Sequence, residues 1–317
     1  MAENGSLTQY QAAQKKRIKV SALMIFLVIP ALLGISILLI NSKMYMLLSL
    51  LILTAIMTPF FMVFERRKPK AREIVLIAVL SAITVVLHLF FHLVLPIQIG
   101  TALVIIFGIA LGPEAGFLIG ALSRFICNFY MGQGMWTPWQ MFCWGLLGFL
   151  AGLCFNKNDM QFMRSKNPIK SSVKDVMAPV LSVVFFEFIG IISIFIFPET
   201  SEGILTWRVY LFGFIGVLFA VLIQRRSISV TNISIAVFTF IATFIIYGGI
   251  MNFAAMVTGM NMGGAEGVSV SALKALYISG IPYDFMHASG ATLSAFLIGK
   301  PMIEKIERIK IKYGIYK

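Results

Sequence analysis

Residues 65–92 read ERRKPKAREIVLIAVLSAITVVLHLFFH: a basic run broken by Pro69, then a long apolar stretch interrupted only by Ser81, Thr84 and two histidines. An apolar run of about 20 residues spans the hydrocarbon core of a bilayer as a helix. The same alternation recurs along the chain and predicts an all-α polytopic membrane protein of about ten transmembrane helices. The expected spans are 20–40, 44–64, 74–93, 97–111, 113–130, 138–155, 177–197, 206–224, 229–249 and 277–298. Of the 26 lysines and arginines, all but Lys43, Arg208, Lys274 and the intramembrane Arg124 fall on one set of alternate connections or on the two termini. Positive charge is retained on the cytoplasmic side, so both termini are expected in the cytoplasm of a bacterial-type cell membrane.

Composition agrees with that reading. Hydrophobic residues make up 59% of the chain and charged residues 12%, far from the balance of a soluble domain. The net charge of +13 is spread over the cytoplasmic edges, where it meets anionic membrane lipid, so no nucleic-acid partner is expected. Cys127, Cys143 and Cys154 all lie inside spans without a CxxC pair, which argues against disulfides and a thiolate metal site.

Two regions are expected. Residues 1–64 form a transmembrane hairpin with a basic cytoplasmic tail, its first apolar stretch too long for a signal-peptide core. Residues 65–317 form a packed core, whose helices carry the Gly, Ala and Ser that let backbones approach closely in lipid. Residues 176–228 read as an inserted helix pair within it, or as one helix with a re-entrant segment. At Gly112-Pro113-Glu114 two short spans meet through helix breakers, with Glu114 favourably placed at a helix N-terminus.

Candidate ligand residues cluster on the expected outer face. The most informative segment is GQGMWTPWQM, residues 132–141, which gathers two of the four tryptophans and two glutamines beside flexible glycines. Interfacial placement accounts for single Trp residues. A paired aromatic and amide run suits a polar, ring-containing small molecule. Asn128, Gln133, Trp136, Thr137, Trp139 and Gln140 are the candidates there, with Gln98 from the 95–100 connection and Asn252 at the start of a Gly/Met/Asn-rich outer segment. Asp284 and His287 are three apart on one helix face, beside Tyr283. They either hydrogen bond to each other and lock the bundle or floor a binding pocket. His88 and His92, four apart, have the spacing of a weak metal chelate. Arg124 and Glu187 are intramembrane charges, functional candidates by their cost. Ala78 and Ala82 form a small-residue stripe suited to a helix partner. No phosphate loop, HExxH or GxSxG motif occurs, so neither an enzyme nor a cofactor is expected. Energy for uphill transport would come from another chain or an ion gradient.

These segments in order resemble a substrate-binding S component of the energy-coupling factor (ECF) vitamin transporters. Ala78 and Ala82 match that family's AxxxA contact. Leu111-Gly112-Pro113-Glu114-Ala115-Gly116-Phe117, the 132–141 run, Met251-Asn252, and Asp284-Phe285-Met286-His287-Ala288 running into Gly299-Lys300-Pro301 carry the rest. The 132–141 run and the Glu65-Arg66-Arg67 loop after a hairpin are similar to a cobalamin-type subgroup. The resemblance implies a six-helix core closing over a vitamin, a membrane coupling subunit docked on the alanine face, and two ATPase subunits. The chain departs from the family pattern in its extra spans at 177–197 and 206–224, in Ala291 after Gly290, and in His88 and His92. Alternatives of other kinds are a cobalt or nickel uptake subunit using His88, His92, Asp284 and His287, a lipid-modifying membrane enzyme using Asp284 and His287, and an assembly factor without a ligand.

Overall fold

A computed structural model describes residues 16, 18–29, 31, 71–94, 97–155, 168–197, 207–223, 230–263 and 270–315. Two compact units are separated between Ile74 and Val75. In the first, residues 18–29 are helical with a π-turn over Met24–Val28. The rest of the hairpin expected over 1–64, and most of the basic loop before the core, lies outside the described residues.

The second unit contains helices only, among the described residues. They are α1 (Ala71–Val94, which begins just before the unit), α2 (Ile99–Leu111), α3 (Pro113–Met131), α4 (Thr137–Phe155), α5 (Pro168–Ile196), α6 (Trp207–Ile223), α7 (Asn232–Ile241), a π-helical turn Ala242–Tyr247, α8 (Gly248–Gly263) and α9 (Val270–Lys312). These helices overlie the spans expected from residue 74 onward. By length and composition, four described segments can cross a membrane: Ala71–Val94, Thr137–Phe155, Pro179–Ile196 and Asn232–Met256. The ten-span expectation is thus met in part: α2 has 13 residues and the apolar stretch of α6 is likewise short.

Every residue of α2 is buried, which makes it the central post of the bundle. Its only side chain with a hydrogen-bonding group is Thr101. Gly108 of α2, Gly116 of α3 and Gly148 of α4 meet backbone to backbone: a Cβ at Gly108 or Gly116 would run into the Gly148 carbonyl oxygen. Without a hydrophobic drive between helices in lipid, such close approach supplies the van der Waals contact that holds them. The chain reverses from α2 to α3 at Gly112, whose φ of 98° is open to glycine and strained for other residues. Pro113 then opens α3 at its first position, where a missing N–H costs nothing.

Contacts along the helices fix their directions. Gly120 faces Trp144, and Gly152 faces Pro113, so α3 and α4 are antiparallel. Gly190 meets Phe212 and Gly216 meets Val183, so α5 and α6 are antiparallel too. On α9, Gly290 lies near the Gln98 backbone and Gly299 near Ile106 and Ile235; α9 runs parallel to α2 and against α7. This up-and-down arrangement brings the ends of α1, α3, α5 and α8 and the starts of α2, α4, α6 and α9 to one end of the bundle.

Candidate ligand-binding site

At that end, polar side chains from several helices replace the apolar core. Arg124 of α3 is the centre of one half. Its Nε donates to Gln140 Oε1 at 3.0 Å, and its guanidinium lies 5.2 Å from the Trp144 ring centroid. Its Nη1 is 3.3 Å from His88 Nε2. Arginine has no acceptor, so that His88 nitrogen must accept and the ring proton sits on Nδ1. Asn128 Nδ2 donates to Gln140 Oε1 at 2.8 Å and to Thr137 Oγ1 at 3.1 Å. The Gly134 N–H also donates to Thr137 Oγ1, which in turn donates to Gln133 Oε1 at 2.9 Å. Gln133, Thr137 and Gln140 thus tie the 132–136 turn to the first turn of α4. That local arrangement follows from sequence spacing.

The second half is built on α9. Asp284 Oδ2 accepts from Tyr210 Oη and from Asn252 Nδ2, each at 2.7 Å. His287 Nε2 and Thr101 Oγ1 form a hydrogen-bonded pair at 3.0 Å. Asp284 and His287 therefore share a face but bond to different helices, and neither of them locks the other. The π-turn delivers Tyr247, whose ring meets His287 edge-on at 4.6 Å, and Gly248, where any Cβ would strike the Asp284 carboxylate. A π-turn widens a helix locally and is common beside functional sites. Gly100 and Thr101 at the start of α2 stand between the halves: Gly100 abuts His88 and Trp144, while Thr101 reaches His287.

The expected residues divide as follows. Asn128, Gln133, Thr137 and Gln140 join one network, and Asn252, Asp284 and His287 join the other. Trp139 is buried and packs against Phe253 at 5.8 Å, so its ring serves the core. Trp136 is half-buried, folded over Gly134. Gln98 is half-buried at the N-cap of α2. Tyr283 is exposed, its ring 6.4 Å from that of His287. His92 is exposed and stacks on the buried His88 at 5.9 Å. Among the described residues no three His, Cys, Asp or Glu side chains gather as a metal site. Ala78 and Ala82 are exposed on α1.

Sequence reasoning missed Tyr210, Thr101, Trp144 and Tyr247. Each is an ordinary residue of an apolar helix until the fold supplies its partner. Tyr210 belongs to the pair read as an insertion, yet it completes the Asp284 site. A separate apolar crevice, lined by Leu150, Val183, Val217 and Phe238 toward the other end, lacks the polar groups that orient a ligand.

Residues 68–225 match the family described as ECF-type riboflavin transporter, S component. That segment is similar to S components of this kind. No curated protein and no solved structure matches the chain. The S-component segment takes in the Arg124 network and Tyr210, while Asn252, Asp284 and His287 lie beyond it. The family is one of transporter subunits, not enzymes, and S components work with a coupling subunit and ATPases. The four described segments long and apolar enough to cross a membrane fit a multi-pass membrane protein.

Proposed function

We propose that this chain is the substrate-binding subunit of an ECF-type importer, which captures a vitamin-class small molecule from outside and hands it to an ATP-driven module. The observation that carries this reading is the gathering of polar side chains from α1, α2, α3, α4, α6, α8 and α9 at one end of an otherwise apolar bundle. Burying that many hydrogen-bonding groups within a membrane is costly without a polar occupant. The positive-inside distribution puts this end outside the cell and both termini in the cytoplasm. Gln98, Trp136, Gln133 and Tyr283 then rim the entrance, above Arg124, Asp284 and His287. Ala78 and Ala82 are the docking stripe for the coupling subunit.

For the ligand itself, the subgroup resemblance points to cobalamin and the family description to riboflavin. Protein purified gently from its host distinguishes them by colour: a bound corrinoid is red and a flavin yellow. The capture reading is tested by reconstituting the chain with a coupling subunit and two ATPases in proteoliposomes. ATP-dependent accumulation of the bound vitamin is expected. Absence of both ligand and any co-isolating coupling subunit overturns the reading.

Metal uptake is disfavoured by chemistry. The one His88 nitrogen turned to a neighbour faces a guanidinium, which repels a cation. Replacing His88 and His92 by Ala is expected to leave uptake independent of added cobalt or nickel; metal-dependent uptake lost in that variant would favour the metal reading.

A further inference from the structure

Arg124 is a cation buried in a membrane helix, 7% exposed, and no carboxylate among the described residues lies within ion-pair distance. Its neighbours are Gln140, which is neutral, His88, whose accepting nitrogen requires the neutral ring, and the face of Trp144. A buried charge without a counter-charge is expensive, and proteins keep one where a partner will arrive. The surroundings are also rich in unmet donors. With its proton on Nδ1, His88 leaves that N–H without an acceptor, and the Trp144 Nε1–H has none either. His88 and Trp144 are fully buried and in edge contact at 4.9 Å. One neighbouring acceptor, Asn128 Oδ1, is likewise unmet. Gly100 lets the His88 and Trp144 rings pack directly against the α2 backbone, where a Cβ would clash with both.

A group that only accepts hydrogen bonds and carries negative charge answers this imbalance; a neutral amide or hydroxyl answers it in part. We infer that the molecule captured here bears an anionic group, a carboxylate or phosphate, seated on Arg124 in this donor-rich surround. This rests on the capture reading and narrows its substrate class: unmodified riboflavin, which is uncharged, does not meet the requirement, while phosphate-bearing relatives of a vitamin do. Arg124 is a ligand-contacting residue in this scheme, and Gln140 and Trp144 hold its fork in place. Charge-assisted hydrogen bonds of this type are about twice as strong as neutral ones.

The test compares paired probes on the full chain in nanodiscs of phosphatidylcholine, read by equilibrium dialysis and thermal stabilisation. The pairs are riboflavin and flavin mononucleotide, cobinamide and cobinamide phosphate, and pantothenol and pantothenate. In at least one pair the anionic member is expected to bind about tenfold or more tightly than its neutral counterpart, a scale set by one charge-assisted contact. Arg124→Gln is expected to erase that preference and Arg124→Lys to keep most of it, the charge surviving without the fork. Should Arg124→Gln fail to fold, His88→Gln is expected to shrink the preference alone. Equal binding within every pair, or no binding by any anionic member, overturns the inference. So does Arg124-dependent stabilisation by phosphatidylglycerol discs without a solute, which would assign the anion to a lipid headgroup. A neutral member binding best in a chain that still co-isolates with its coupling subunit sinks the anion inference and leaves the capture reading standing.

Discussion

Asp284 is held by two donors from two helices, Tyr210 and Asn252, in a site 4% exposed. Asp284→Ala removes the acceptor and strands both donors, a loss of about 1–3 kcal/mol for each orphaned group. A clear drop in the unfolding temperature in detergent is the expected outcome. Tyr210→Phe deletes one donor cleanly and is expected to cost only about 1 kcal/mol, so its smaller shift checks the assignment. At Gly100 an added methyl would lie 2.6 Å from Trp144 and 2.7 Å from His88 Nδ1. Gly100→Ala is therefore expected to displace both rings and to weaken ligand binding, measured by dialysis, more than it lowers stability. What could be read along the chain at this scale was what lies close along it. The Asn128, Gln133, Thr137 and Gln140 network joins residues at most 12 apart, in types that hydrogen bond locally. Thr101 and Tyr210 become site residues only through partners 186 and 74 positions away. Spacing carries no trace of such pairings.

Among the elements, the tightest crossing joins α2, α3 and α4 through Gly108, Gly116 and Gly148. Gly148→Val would force three backbones apart and is expected to cost at least about 1–3 kcal/mol, the usual range for overpacking, seen as loss of a monodisperse peak in size-exclusion chromatography. The helices themselves were legible because membrane spans announce themselves by length and apolarity, without any need of amphipathic period. The π-turn over Ala242–Tyr247 was not. A helix apolar on most sides gives no phase against which a widened turn could be noticed. Its effect is local yet decisive: it turns Tyr247 and Gly248 onto His287 and Asp284.

For the molecule as a whole, binding and transport should separate by mutation. Ala78 and Ala82 are exposed on α1. Replacing both by Leu is expected to reduce ATP-dependent uptake in proteoliposomes by tenfold or more, roughly the effect of losing one well-packed contact, while dialysis still detects ligand. Loss of binding in that variant would show that the stripe serves the fold rather than a partner. The general character of the chain, helical with long apolar segments, was open to sequence reading because bilayer energetics leave so few alternatives. The seating of α5 and α6 was not, since two apolar helices look alike whether they line a site or merely flank it.

Tyr210 gives that pair a consequence for ancestry. A relative that dispensed with residues 168–223 would leave this carboxylate without its phenol, held by the Asn252 amide alone. Another donor would then have to take the phenol's place beside position 284 in the same lineage. Where the two helices are missing from a homologue, that substitute hydroxyl or amide should be found on a neighbouring helix.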